Sequence, residues 1–132
     1  MNALLSVEAV SKRFRGLLAV DQVSFEVPQG AIVAVIGPNG AGKTTLFNMI
    51  AGVYTPDGGT ITFAGERTDG LPPDKICRRG VGRTFQIVRP FPALTVEDNV
   101  IVGALLHRRH AREARAHAHD VLRRLGLTGE RA

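Results

Sequence analysis

Residues 37–44 have the types and the spacing that bind the phosphates of a nucleotide. They fit the pattern G-x-x-x-x-G-K-[ST] at every fixed position. Glycines let the backbone approach anionic oxygens closely, and successive N–H groups then point at the anion together with the start of a helix. Lys43 supplies a mobile cation for the outer phosphates, and Thr44 offers a hydroxyl to Mg²⁺. The loop therefore predicts that ATP and Mg²⁺ are bound by Gly37, Pro38, Asn39, Gly40, Ala41, Gly42, Lys43 and Thr44.

The segments on both sides of this loop favour a phosphate site over a glycine-rich turn with a chance lysine. Residues 31–36 form a continuous apolar run of strand length, which is typical of a strand buried on both faces. Residues 46–51 are rich in apolar side chains and predict a helix, and Gly52 suits the position just past its end. A buried strand before the loop and a helix directly after it are the context that a phosphate-binding loop requires.

Apolar residues at regular spacing predict the other elements of the chain. Alternation of apolar and polar residues predicts strands, and apolar residues at helical spacing predict helices. The predicted strands are residues 4–10, 23–27, 60–63 and 81–86. The predicted helices are residues 72–80, one that Thr95 caps, and a final one with Ala114, Ala118, Val121, Leu122 and Leu125 on one face. This order of elements predicts a mixed α/β domain.

Two segments resemble the nucleotide-binding subunit of ABC transporters. The first is GPNGAGKTT, followed by a Gly-x-Tyr-x-Pro-x-x-Gly run at residues 52–59. The second is VGRTFQIVRPFPALTVEDNV at residues 81–100, which is similar to the Q-loop segment of that family, with Gln86 at the glutamine position. Its Arg-Thr-Phe-Gln and Leu-Thr-Val-x-x-Asn-Val runs most resemble the branched-chain amino acid importers. The resemblance extends over nearly the whole chain.

The resemblance implies a fold and a division of the chain. It implies an α/β fold that is one incomplete ABC ATPase domain over residues 1–132. A P-loop NTPase core sheet and an antiparallel β-subdomain would occupy residues up to about 94, and the start of a helical subdomain would follow from about residue 95.

The resemblance also implies roles for individual side chains. Phe14 matches the aromatic residue on which adenine stacks, although core packing is the alternative for such a ring. Gln86 matches the glutamine that reaches Mg²⁺ and the attacking water and that senses the transmembrane partner. Thr45 matches a second hydroxyl on the inner phosphates. Lys43 and Gln86 are thus the implied catalytic residues, and Thr44 and Gln86 are the implied contacts of the metal.

Other parts of the family's catalytic machinery are not found in these residues. In the family the signature loop, the acidic Walker B strand, the catalytic glutamate and the switch histidine lie further along the chain. Residues 17–21 are an apolar run that ends in an aspartate, as the Walker B strand does. They precede the phosphate loop, however, and we interpret them as a structural segment. We therefore expect this chain alone to bind ATP and to hydrolyse it negligibly.

The charge and the composition of the chain indicate which classes of molecule it could bind. The net charge is +5, from 17 Lys and Arg against 12 Asp and Glu, and only 5% of the residues are aromatic. So few aromatics leave little material for stacking nucleic-acid bases, and no nucleic-acid partner is expected. The resemblance implies instead transmembrane permease subunits, a second ATP-binding subunit and, indirectly, a solute-binding protein. It implies a peripheral position on the cytoplasmic face of the cell membrane, which agrees with apolar runs of at most six residues.

Three other functions stay open at this point. A soluble ABC-type ATPase that acts on nucleic acid would suit the basic charge. A GTPase or small-molecule kinase would share the phosphate loop, although no Asn-Lys-x-Asp guanine-reading motif occurs. A non-catalytic nucleotide-binding fragment is the third alternative, for these residues taken alone.

The histidines and the cysteine, whose side chains could bind a metal or react, do not predict a site. The histidines at 107, 110, 117 and 119 lie among arginines, without the cysteine or acidic partner that would complete a closed metal site, and predict a solvated basic face. The single cysteine, Cys77, excludes an internal disulfide and has no predicted role.

Overall fold

The first two strands form a long antiparallel hairpin that carries most of the sheet. The structure is a computed structural model, and it describes residues 3–128. β1 spans Ala3–Phe14, β2 spans Leu17–Pro28, and a two-residue turn joins them. Arg15 in this turn has a φ of 52°, the left-handed conformation that tight hairpin turns use. The predicted strands at residues 4–10 and 23–27 are thereby confirmed.

Two short strands complete a four-stranded antiparallel sheet. β3 spans Gly58–Phe63, β4 spans Glu66–Arg67, and the strand order is β2-β1-β3-β4. The register between β1 and β3 shifts around Ala9, whose φ is 47°. Gly59 lies against this irregularity with a φ of 83°, and a Cβ atom there would lie 2.4 Å from the Ala9 carbonyl oxygen. A side chain at this position would therefore distort the pairing of the two strands.

The four helices of the described residues lie where the sequence predicts them. They are α1 (Lys43–Ile50), α2 (Pro73–Arg78), α3 (Val96–Ala104) and α4 (Ala111–Arg124). The predicted cap of α3 is present, because the Thr95 Oγ1 accepts a hydrogen bond of 3.1 Å from the Asp98 N–H. α2 begins with prolines and is followed by Gly80 with a φ of 103°, as the sequence predicts.

The main hydrophobic core lies where α1 meets the sheet. Its buried members are Val7, Val10, Val20, Leu46, Met49 and Ile61. Leu46 and Met49 project from one side of α1, and burial of a large apolar side chain stabilises a fold by about 1.5–3 kcal/mol. This contact anchors α1, and with it the loop that leads into the helix.

The chain divides into two compact units, Met1–Arg83 and Thr84–Ala132. In the second unit α3 packs against α4, which buries the small residues Ala114 and Ala118 together with Leu122. Leu125, which the sequence places on the same face, is 66% exposed because the helix has ended at Arg124. The subdomain boundary near residue 94 stays a prediction.

Two predicted strands are wrong. Neither residues 31–36 nor residues 81–86 form a strand, and the expected core sheet is therefore not present among the described residues. In residues 31–36 the side chain of Ile32 is 100% exposed and that of Ile36 is 92% exposed, whereas Val35 packs against the core. A strand exists only when a neighbour satisfies its N–H and C=O groups, and no described strand pairs with either segment. The α/β class and the antiparallel β-subdomain are confirmed.

Candidate functional site

The loop before α1 has the backbone conformation of an anion-binding turn. The Ala41 N–H donates to the Pro38 carbonyl oxygen at 3.2 Å, and Gly40 and Gly42 have φ values of 82° and 94°. Gly42 is the N-cap of α1, and no side chain caps this end of the helix. The first helical bond runs from the Leu46 N–H to the Gly42 carbonyl oxygen, so the N–H groups of the first turn lack an intrahelical acceptor. Such an end attracts an anion.

Strand β2 supports this loop from behind. A Cβ atom on Gly42 would lie 2.2 Å from the Ala19 carbonyl oxygen and 3.3 Å from the Val20 Cγ2 atom. The loop backbone can approach β2 so closely only because Gly42 has no side chain. Residues 17–21, which the sequence predicts to be structural, lie in β2 and supply this support.

Lys43 folds back over the start of the loop. Its Nζ atom donates to the carbonyl oxygens of Gly37 at 2.5 Å and of Pro38 at 2.7 Å. An ammonium group has three donors, so these two bonds hold the cation over the loop and leave one donor for an anion. The positive charge is thereby held against the start of the loop that leads into α1.

The two threonines stand in the first turn of α1. Thr44 is exposed and Thr45 is half-buried, while Leu46 and Met49 hold the opposite side of the helix in the core. A cavity of about 490 Å³ opens beside this turn, and Gly42 and Lys43 belong to its lining. The predicted phosphate-binding residues are therefore contiguous on one loop and one helical turn.

Phe14 stands at the end of β1 and is 36% exposed. Its ring meets the Tyr54 ring at a centroid distance of 5.1 Å and an interplanar angle of 71°. The Nζ atom of Lys12 lies 5.6 Å from the centroid of the Phe14 ring. The ring therefore lies on the partly exposed rim of the first unit, outside the buried core cluster. Its role in binding adenine stays a prediction.

Gln86 lies in the second unit and its side chain is exposed. Its predicted contacts with Mg²⁺ and the attacking water stay predictions. Arg83, the last residue of the first unit, donates from its Nη1 atom to the Asn48 Oδ1 atom of α1 at 2.5 Å. The first unit thus ends with a polar contact on the helix that follows the phosphate loop.

Two aspartates of the β-subdomain have altered acidity. The Arg13 N–H and the Lys12 ammonium lower the pKa of Asp57, and both donate to its carboxylate. The Arg67 guanidinium, helped by the Ile61 N–H, lowers the pKa of Asp69, although partial burial opposes the shift. Lys12, Tyr54 and Asp57 were not singled out in the sequence, although Tyr54 and Asp57 belong to the Gly-x-Tyr-x-Pro-x-x-Gly run.

The histidines form no metal site in the part of the chain that the structure describes. No group of three or more His, Cys, Asp or Glu side chains is placed to hold an ion there. His107, His110 and His117 are exposed, and the His119 Nε2 atom lies 2.8 Å from the Glu97 Oε1 atom. Within residues 3–128 no helix has the length and apolar character needed to cross a bilayer.

Two bacterial proteins with similar sequences are both described as high-affinity branched-chain amino acid transport ATP-binding proteins. LivG of Salmonella typhimurium, a high-affinity branched-chain amino acid transport ATP-binding protein, is 54% identical over 100 residues, which are 76% of this chain and 39% of LivG. BraF of Pseudomonas aeruginosa, which has the same description, is 43% identical over 140 residues, which cover 95% of this chain and 55% of BraF. The chain thus spans about 39% to 55% of the length of these relatives.

Similarity of structure leads to the same family. The ADP conformation of MJ1267, an ATP-binding cassette of an ABC transporter, matches with a TM-score of 0.84 and 28% identity, over 99% of this chain and 57% of that one. A family model described as ABC transporter matches residues 20–132. The resemblance seen in the loop and in residues 81–100 is therefore confirmed. The chain belongs to the ABC transporter family.

Proposed function

We propose that this chain binds the phosphates of Mg-ATP as part of the ATP-binding subunit of an importer of branched-chain amino acids. The observation that carries the proposal is the loop at residues 37–42, which ends at the uncapped start of α1 with the Lys43 ammonium held over it. Backbone N–H groups and a cation at one place suit a triphosphate. The names of LivG and BraF support the transported solute.

Each predicted residue has a task in this proposal. The loop N–H groups and Lys43 bind the outer phosphates, Thr45 contacts the inner phosphates, and Thr44 is a ligand of Mg²⁺. Phe14 stacks against adenine, and Gln86 reaches Mg²⁺ and the attacking water. Hydroxyl and amide oxygens are hard ligands that fit Mg²⁺, which keeps several waters besides.

The whole protein would work with other chains on the cytoplasmic face of the cell membrane. Two ATP-binding subunits would enclose two ATP molecules, and their closure would drive transmembrane permease subunits that receive solute from a solute-binding protein. The transport descriptions of LivG and BraF favour this function over a soluble ATPase that acts on nucleic acid. For this chain alone we propose ATP binding with negligible hydrolysis, because it lacks an acidic strand end after the loop.

Calorimetry with a lysine variant tests the phosphate site. We expect Lys43→Ala to weaken the binding of Mg-ATP by about tenfold or more, because the variant removes the cation that the loop aims at the phosphates. The matched control is Lys75→Ala, which removes an exposed lysine from α2. Unchanged affinity in a folded Lys43→Ala variant would show that the phosphates bind elsewhere.

A further inference from the structure

A carboxylate in the turn before β3 is tied to the end of β1 by several bonds. The Asp57 Oδ1 atom lies 2.9 Å from the Lys12 Nζ atom, and its Oδ2 atom accepts the Arg13 N–H at 2.7 Å. The Asp57 N–H donates to the Ser11 carbonyl oxygen at 2.9 Å. The Lys12 ammonium also donates to the Thr55 carbonyl oxygen at 2.8 Å. Asp57 thus connects its turn to three consecutive residues of β1.

These three residues lead directly into Phe14. The backbone N–H that donates to Asp57 belongs to Arg13, so the bond holds the Lys12–Arg13 peptide, one peptide unit before the one that joins Arg13 to Phe14. The ammonium that Asp57 pairs with is the one that lies 5.6 Å from the centroid of the Phe14 ring. Tyr54, which meets that ring, belongs like Asp57 to the connection between α1 and β3. One carboxylate therefore bonds both to the backbone that precedes the ring and to the cation beside the ring.

The charge of Asp57 is maintained by the same bonds. The Arg13 N–H and then Lys12 hold the pKa of Asp57 below its ordinary value, so the carboxylate is ionised at neutral pH. An aromatic platform binds a base well only when its plane is held in advance, because ordering a free ring on binding costs conformational entropy. The Phe14 ring has both requirements, a held backbone and an accessible surface.

We propose that Asp57 is a positioning residue for the nucleotide base, and that it holds the Phe14 ring, through Lys12 and the Arg13 backbone, as the platform for a purine. This inference rests on the proposed function, since it needs the nucleotide on the loop at residues 37–45. It separates the contacts of the base from those of the phosphates. Asp57 serves the base, and Lys43 serves the phosphates.

The separation is measured as the ratio of two affinities, for Mg-ATP and for inorganic tripolyphosphate with Mg²⁺. Asp57→Asn removes the charge and retains the size of the side chain. We expect Asp57→Asn to weaken the binding of Mg-ATP by about threefold to tenfold and to leave the binding of tripolyphosphate unchanged. This loss is a part of the affinity that is lost when the stacking of a base is removed altogether. Phe14→Ala should weaken the binding of Mg-ATP at least as much. The double variant Phe14→Ala with Asp57→Asn should lose no further affinity for Mg-ATP.

Asp69→Asn is the matched control. Asp69 also accepts a backbone N–H, from Ile61 at 3.0 Å, and pairs with a cation, Arg67, at 2.9 Å. Its ionised form is stabilised in the same way, but its bonds do not lead to Phe14. A general loss of the fold would affect both aspartate variants, whereas a positioning effect changes the ratio only for Asp57→Asn.

Lys12→Met provides an independent variant if Asp57→Asn does not fold by circular dichroism. It keeps most of the aliphatic stem and removes the ammonium, and we expect the same selective loss of ATP. Equal losses for both ligands, or an unchanged ratio in the folded variant, would overturn the positioning role. Failure of the proposed function has a different signature, which is Lys43→Ala with unchanged binding of both ligands.

Discussion

Gly42→Ala places a methyl group between the phosphate loop and strand β2, and its effect can be worked out from the structure. Gly42 has a φ of 94°, a conformation that costs an L-residue about 1–2 kcal/mol. The new Cβ atom would lie 2.2 Å from the Ala19 carbonyl oxygen, about 1.2 Å short of the 3.4 Å at which ordinary contact begins. Relieving such an overlap in packed structure costs about 1–3 kcal/mol more. We expect a total destabilisation of about 2–5 kcal/mol.

Gly40→Ala separates the two contributions. Gly40 has a φ of 82°, so alanine meets a similar backbone strain, but no atom beyond its two chain neighbours lies within 4 Å of the added Cβ. We expect it to cost only about 1–2 kcal/mol. The difference of about 1–3 kcal/mol between the variants is then the cost of the overlap with Ala19 alone.

Urea unfolding followed by circular dichroism measures this difference. With a slope of about 1 kcal/mol per molar urea, typical of a small protein, the midpoint of Gly42→Ala should lie about 1 M or more below that of Gly40→Ala. The binding of Mg-ATP should weaken for the same variant, because the loop must move away from β2. Equal midpoints for the two variants would refute the argument, since they would mean that the loop does not rest on Ala19.

Two further predictions concern turnover and acid stability. A phosphate-release assay on the purified chain should show negligible hydrolysis, and turnover equal to that of an intact family member, abolished by Lys43→Ala, would show that the catalytic residues have been misplaced. For Asp69, the Arg67 guanidinium holds the folded-state pKa below the ordinary 3.8, so the unfolded chain binds more protons and stability is lost as the pH falls through the folded pKa. The drop in urea midpoint between pH 7 and pH 3 should be smaller in Asp69→Asn than in the unaltered chain, and an equal drop would mean that Asp69 does not contribute.

Local sequence patterns were sufficient to predict the phosphate loop and the helices. The phosphate-loop pattern needs only eight consecutive residues, and Gly40 and Gly42 in it have the positive φ values that glycine adopts without strain. The cap at Thr95 and the start and stop signals of α2 also act within one helical turn. Interactions between near neighbours in the chain depend little on the rest of the fold, so the sequence predicts them well.

Apolar composition was not sufficient to predict a strand, because a strand needs a partner that is distant in the sequence. Residues 31–36 have the composition of a buried strand, but Ile32 and Ile36 are exposed because no described strand lies beside them. Composition reports what a segment can bury, whereas a strand also requires a neighbour for its backbone hydrogen bonds. The same reason applies to residues 81–86.

The sequence by itself determined the phosphate loop, the order of most elements and the family of the chain. Only the tertiary structure placed Lys12, Asp57 and Tyr54 around Phe14. Lys12 and Asp57 are 45 residues apart in the chain, and they meet because β3 pairs with β1 and brings the turn before it to the end of that strand. Such contacts arise from strand pairing and register, which no short segment of sequence contains.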